Sequence, residues 1–212
     1  MFPFSHHIAF RPSVVLACTL AGLATAVAAM FSAAPAQAAL ISTGACNEAE
    51  LTQPFARWGE TTDYELVPGG HFDGSLAGWT VQGKAGLVSG GEPYGVTGSV
   101  SSDSLALGTL ASAQSPFFCV NASYPSFRFF ARNGSLLSTV LVQVVDETPV
   151  GPVTLPVGVV ALTGQWEPTA PMLTGSAVEG LLSGGTAQIA LRFTELTGSS
   201  QIDDVFVDPR MR

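Results

Sequence analysis

The chain has 212 residues, with 16 acidic against 8 basic side chains and a formal net charge of −8, which excludes the basic footprint of a nucleic-acid-binding surface. Only 11% of the residues are charged, while glycine (23) and proline (14) are abundant, a mix that favours short strands and many turns. No Walker loop, H-E-x-x-H or G-x-S-x-G motif occurs, so the common nucleotide, zinc-protease and serine-hydrolase chemistries have no foothold.

Residues 1–38 read as a secretory signal peptide. Two histidines and Arg11 precede an apolar or small run from Val14 to Phe31, and Ala36-Gln37-Ala38 supplies an A-x-A cleavage site. The apolar run is long enough to raise the alternative of an uncleaved anchor. Its alanine, glycine and threonine content favours cleavage, after which no stable membrane span is expected. The protein is then expected outside the cell or in the cell envelope. Removing 38 of 212 residues leaves 174, with seven Lys/Arg against sixteen Asp/Glu, enough for one domain with a sizeable core. Two cysteines remain, Cys46 and Cys119. An even count in an oxidising compartment points to a disulfide; the alternative is a pair of buried thiols.

Residues 39–62 show no period and read as an irregular lead-in, with Pro54 and Trp58 packing on the domain. The domain itself, residues 63–208, consists of short apolar runs punctuated by glycine and proline. "YELV" is a strand and "PGG" a turn; "GWTVQG" and "AGLVSG" read as a hairpin, and "SLALGTLASAQS" as two further strands. In "SFRFFAR", Phe127, Phe129 and Ala131 share one face, while Arg128, Phe130 and Arg132 share the other. In "STVLVQVV", Val140, Val142 and Val144 alternate with Leu141 and Gln143; in "AQIALRF", Ile189, Leu191 and Phe193 alternate with Ala190 and Arg192. Period-two alternation of this length marks half-buried strands. "VTLPVGVVAL" is a strand pair or a bent strand, with Pro156 at an edge or bulge. "SAVEGLL", residues 176–182, is the one candidate helix. Many short strands with almost no helix give an all-β fold, an antiparallel β-sandwich.

The last strand, "SQIDDVFVDP", sets Asp203 on the face of Val205 and Val207, and Asp204 on that of Ile202 and Phe206. At least one acid then faces packed material and needs N–H groups, an arginine or a cation. "GGHFDGSLAGWT" and "QIDDVFV" together resemble the two ends of jelly-roll carbohydrate-binding modules of xylanases and related glycosidases. Those modules commonly open with Asn-Gly-x-Phe-Glu, a turn and Gly-Trp. They close with a hydrophobic-Asp-Asp/Asn-Val strand that neighbours the first. The resemblance implies a jelly roll and a structural calcium held by Asp73 and Asp203 with backbone carbonyls, Asp204 lying beside them. Two departures bear on this: Asp73 is one methylene shorter than the usual Glu, and His71 replaces a small polar residue. The alternative is that Asp73 caps its own turn and Asp203 bonds to backbone. Over most of its length the chain also resembles a family of uncharacterised secreted actinobacterial proteins, through "LVPGG", "GW", "EPY", "YPSFRFFARNGS" and "IDDVFVDP". That resemblance implies secretion and the same sandwich, and brings no activity.

Arg128, Phe130, Gln143 and Arg192 occupy outward positions of three strands; if these share a sheet, planar polar groups flank an aromatic, which a sugar site needs. Arginine would favour acidic sugars through bidentate bonds, or would simply pair with nearby acids. Trp166, in the polar stretch "TGQWEPT", Trp79 and Tyr94 are candidate stacking platforms, Trp79 being placed as core. After the leader His71 is the sole histidine, so a Ser-His-Asp triad would have to use it; a glycosidase needs two facing carboxylates, which spacing does not show. Two functions remain: non-catalytic binding of an extracellular or cell-wall polysaccharide, and a structural or protein-interaction domain without a small ligand.

Overall fold

The computed structural model describes residues 46, 50–121, 126–174 and 186–208. In chain order the strands are β1 (Leu51–Thr52), β2 (Tyr64–Leu66), β3 (Thr80–Gln82), β4 (Ala85–Ser89), β5 (Asp103–Gly108), β6 (Ser112–Gln114) and β7 (Phe118–Asn121). They continue with β8 (Ser126–Asn133), β9 (Thr139–Thr148), β10 (Gly151–Ala161), β11 (Glu167–Pro168), β12 (Met172–Leu173), β13 (Thr186–Thr197) and β14 (Ser199–Asp208). All pairings are antiparallel, and they form two sheets. In the eight-stranded sheet β14 lies between β8 on one side and β2 and β5 on the other. In the six-stranded sheet β13 lies between β9 on one side and β6 and β7 on the other, with β10 and β3 at the edges. The chain is an antiparallel jelly-roll β-sandwich, and its early strand β2 neighbours the closing strand β14 through Leu66–Phe206.

The period-two strands do what their pattern dictates. Phe127, Phe129, Val140, Val142, Val144, Ile189, Leu191 and Phe193 fill the space between the sheets and are buried. Phe193 stacks on Trp79 at 6.1 Å and meets Phe129 edge-on at 4.9 Å. Trp79 is core, as its strand position indicates, and its indole N–H donates to the Pro68 carbonyl. Pro156 lies on edge strand β10, beside a register shift at 156–158, because proline has no N–H for a ladder. The candidate helix at 176–182 lies outside the described residues.

"GWTVQG" and "AGLVSG" are not a hairpin. β3 pairs with β6 and β4 with β5, so the chain changes sheets between them. The crossing uses Gly83, at φ +71° and with Ala111 Cα 3.2 Å from where a Cβ would stand. Neither condition tolerates a side chain.

A second cluster covers the outer face of the eight-stranded sheet. Phe55, from the lead-in, is fully buried against Tyr64 (4.8 Å), Phe130 (5.5 Å) and Phe206 (5.7 Å). Pro54 is buried beside it, and Trp58 rests on Phe130 and Tyr94. The lead-in is thus part of the fold. Cys46 and Cys119 are joined, with Cα atoms 5.5 Å apart, which ties the lead-in to β7. Among the described residues no helix is long and apolar enough to cross a membrane.

Candidate functional site

The four residues expected to share one sugar-binding face, Arg128, Phe130, Gln143 and Arg192, are divided between the two sheets. Arg128 and Phe130 point to the outer side of the eight-stranded sheet, where they are 8% and 0% exposed. Arg128 pairs with Glu60, donates from Nε to the Thr169 carbonyl at 2.6 Å and lies 4.2 Å over the Phe55 ring. Trp166 is also buried there, under the Arg132 guanidinium. Tyr94 spends its hydroxyl on the Trp166 carbonyl. Burial and the neighbouring Glu60 hold the Tyr64 hydroxyl well above the usual phenol range. None of Arg128, Phe130 and Trp166 is available to a ligand. Their outward alternation is real, but the lead-in covers the face they point to.

Gln143 and Arg192 sit on the six-stranded sheet and face each other across β9 and β13. The register extends them into a row across the sheet: Thr80, Gln114, Arg192, Gln143 and Pro156. Their neighbours Val142, Val144, Leu191 and Phe193 point into the core, so the row points away from it. Every member is partly or fully accessible. Arg192 donates through Nε (3.0 Å) and Nη2 (2.6 Å) to Gln114 Oε1. Two of its five N–H donors are thereby committed, and among the described residues it forms no ion pair. The parallel row of Gln82, Ser112, Thr194, Leu141 and Val159 adds only uncharged residues beside it.

Asp203 and Asp204 lie at a bulge in β14, with Asp73 near enough to act on Asp204 electrostatically. The register slips between Asp203 and Phe206, and Asp204 takes φ +44°. Strict alternation therefore fails here: Ile202, Val205 and Val207 all enter the main core, while Phe206 joins the outer cluster. Val205 pairs instead with the "PGG" turn, exchanging bonds with Val67 and Gly70. Phe72 plugs the core at φ +52°, leaving Asp73 on the rim, where its Oδ1 accepts from the Ser102 N–H (2.7 Å) and Oγ (3.1 Å). Asp203 accepts from the N–H of Glu92 (2.8 Å) and of Asp204 (2.9 Å).

Glu92, which alternation gives no reason to select, is the third buried acid. Its Oε2 accepts from Tyr94 N–H (2.6 Å), and its Oε1 from Gly95 (2.8 Å) and Val96 N–H (3.1 Å). The available signal was an acid within "GGEPYG", a turn that leaves N–H groups needing an acceptor. Gly91 makes room for this arrangement. A Cβ there would collide with Asp203 Oδ2 and Ser101 Cβ and come within 2.7 Å of the Asp103 carbonyl oxygen. Gly91→Ala is expected to cost about 1–3 kcal/mol, read as a lower urea midpoint.

Both oxygens of Asp203 and of Glu92, and Oδ1 of Asp73, accept from N–H and O–H donors, while neither oxygen of Asp204 has a hydrogen-bond partner among the described residues. Among the described residues no three His, Cys, Asp or Glu side chains are grouped to hold a metal.

No protein-family model matches the chain, and no curated protein does. Solved structures give low-identity likenesses. A family 11 carbohydrate-binding module from Clostridium thermocellum, in complex with a mixed-linked tetrasaccharide, is 11% identical with a TM-score of 0.46, over 67% of this chain and 94% of that one. A xylan-binding domain of carbohydrate-binding family 22 is 17% identical with a TM-score of 0.43, over 66% and 94%. The Clostridium thermocellum xylanase 10B fragment, complexed with xylohexaose, is 16% identical with a TM-score of 0.45. This chain covers 26% of that fragment's length, and the alignment takes in 64% of this chain. Likenesses at this level carry no information about ligand or site.

Proposed function

We propose that this is a secreted, non-catalytic glycan-binding domain whose ligand lies across the six-stranded sheet, over Gln114, Arg192 and Gln143. The observation that supports this reading is the accessible row running from Thr80 to Pro156. Side-chain amides both donate and accept, which matches the dual character of sugar hydroxyls. Arg192 adds a fixed fork at the centre of the row and turns it towards carboxylated sugars. Affinity electrophoresis through xylan, mixed-linkage β-glucan and polygalacturonate tests the reading. Retardation by at least one polymer is expected, and Arg192→Ala should weaken it about tenfold, the worth of a charge-assisted hydrogen bond. Unretarded migration through all three would overturn it.

A protein-interaction domain without a small ligand is the second reading. It is favoured by Leu136, Leu137 and Val150, which are 99%, 79% and 95% exposed at opposite ends of β9. On that reading Arg192→Ala changes no binding property.

A further inference from the structure

Four turns meet at the end of the sandwich where β13 passes into β14. They join β3 to β4, β5 to β6, β8 to β9 and β13 to β14. Bonds between them make one surface. The Gly108 N–H donates to the Lys84 carbonyl (2.8 Å), the Leu110 N–H to the Glu195 carbonyl (2.8 Å) and the Thr109 hydroxyl to the Gly198 carbonyl (2.7 Å). The Ser135 hydroxyl accepts from the Ser199 N–H (3.0 Å) and donates to the Leu137 carbonyl (3.2 Å). On this surface stand Leu110, Leu136, Leu137 and Leu196, which are 76%, 99%, 79% and 36% exposed.

Folding gives no reason for Leu110 to be a leucine. Its φ is +61°, a left-handed conformation that is costly for a residue with a Cβ and suits glycine or asparagine. A side chain this exposed recovers little of that cost by packing. Strained residues of this kind cluster where function uses them.

Charge also sets this end apart. The chain has sixteen acids against eight basic residues, yet residues 83–84, 108–111, 134–138 and 196–198 hold one cation, Lys84, and no acid. Glu195, next to Leu196, is fully buried and accepts from the Ser138 hydroxyl (2.8 Å) and the Thr139 N–H (3.2 Å). Lys84 is exposed. An apolar tip with a cation at its edge and no exposed acid complements a lipid boundary, where anionic headgroups overlie acyl chains. The bonds between turns serve the same end, because a backbone polar group entering lipid must be satisfied within the protein. The leucines stand on separate turns. A fluid layer accommodates that arrangement, whereas a rigid partner would need a matched pocket for each.

We propose that this tip is a lipid-docking surface: Leu110, Leu136, Leu137 and Leu196 enter the outer part of a bilayer while Lys84 meets anionic headgroups, so that the domain rests on a membrane without spanning it. The glycan face is separate from it, since Gln114, Arg192 and Gln143 lie within strands.

The test is sedimentation of the secreted protein with vesicles of phosphatidylcholine alone and of phosphatidylcholine and phosphatidylglycerol in equal parts. Wild type is compared with the triple variant Leu110→Asn, Leu136→Ser, Leu137→Ser and with Val150→Ser, which removes an equally exposed apolar residue at the other end of β9. Variants and wild type share the same N-terminal segment, so a difference between them reports on the tip. Wild type is expected to bind the mixed vesicles, about fivefold more tightly than the neutral ones. The triple variant should lose at least about a hundredfold in affinity, the worth of several leucines leaving an apolar phase. Its thermal midpoint should equal or exceed that of wild type, since asparagine relieves the strain at position 110. Val150→Ser should bind as wild type does. No wild-type binding to either vesicle, or equal binding by the triple variant, would overturn the proposal. So would a loss in Val150→Ser as large as that in the triple variant. Dimers that the triple variant abolishes, without vesicle binding, would assign the tip to a second copy instead. Should the triple variant not fold, Leu136→Ser decides: about tenfold weaker binding is expected, and unchanged binding contradicts the assignment.

Discussion

Phe55→Ala is expected to destabilise the protein by about 3–5 kcal/mol, the usual cost of emptying a fully buried aromatic site. The position lies in a stretch with no sequence period, and a peripheral arm would give a far smaller effect. Phe55 is 0% exposed and touches Tyr64, Phe130 and Phe206. Its ring also supports the Arg128 guanidinium, which pairs with Glu60 of the same lead-in. Truncation therefore removes contact area and leaves a largely buried cation with less cover, which adds to the cost. Urea unfolding followed by tryptophan fluorescence measures it. A change below about 1 kcal/mol, within the range of ordinary surface substitutions or little above it, would show that the lead-in does not hold the outer face.

Breaking the Cys46–Cys119 bridge is the second large effect. The cysteines are 73 residues apart in sequence, and the loop-entropy relation gives about 4 kcal/mol for a closure of that length. For a domain of this size the unfolding midpoint should fall by about 10 °C. Calorimetry of the Cys46→Ser, Cys119→Ser double variant reads it directly. The bridge anchors residues just before the cover strip that carries Phe55. Loss of the disulfide should therefore also make the lead-in more susceptible to protease than the sandwich strands. Equal midpoints for variant and wild type would show that the cross-link restrains nothing.

The sandwich was legible in the sequence because its long central strands are half-buried, and alternation is the direct consequence of one face meeting the core. Phe127 to Ala131, Val140 to Val144 and Ile189 to Phe193 all point as their period dictates. Alternation does not report what covers the other face. Phe130 and Arg128 resembled an exposed aromatic-arginine pair, and a non-periodic segment buries them. The supposed hairpin failed for a different reason: neighbours in sequence can belong to opposite sheets when a glycine such as Gly83 permits the crossover. At the acid cluster, a bulge placed Asp203 and Asp204 off strict alternation. Glu92 was missed because turn acids carry no period. What identifies them is their need to receive N–H groups, and that is visible only in three dimensions.

The glycan-binding reading rests on which face of the sandwich is open. Titration calorimetry with the polysaccharide that most retards the protein tests this directly. It compares wild type with the Gln143→Ala, Arg192→Ala double variant on the six-stranded sheet. Arg57→Ala serves as a control, since it removes an equal charge beside Tyr94 on the opposite side. The predicted result is an affinity lowered at least about tenfold in the double variant and unchanged in Arg57→Ala. Wild-type affinity in the double variant would contradict a ligand site on this face.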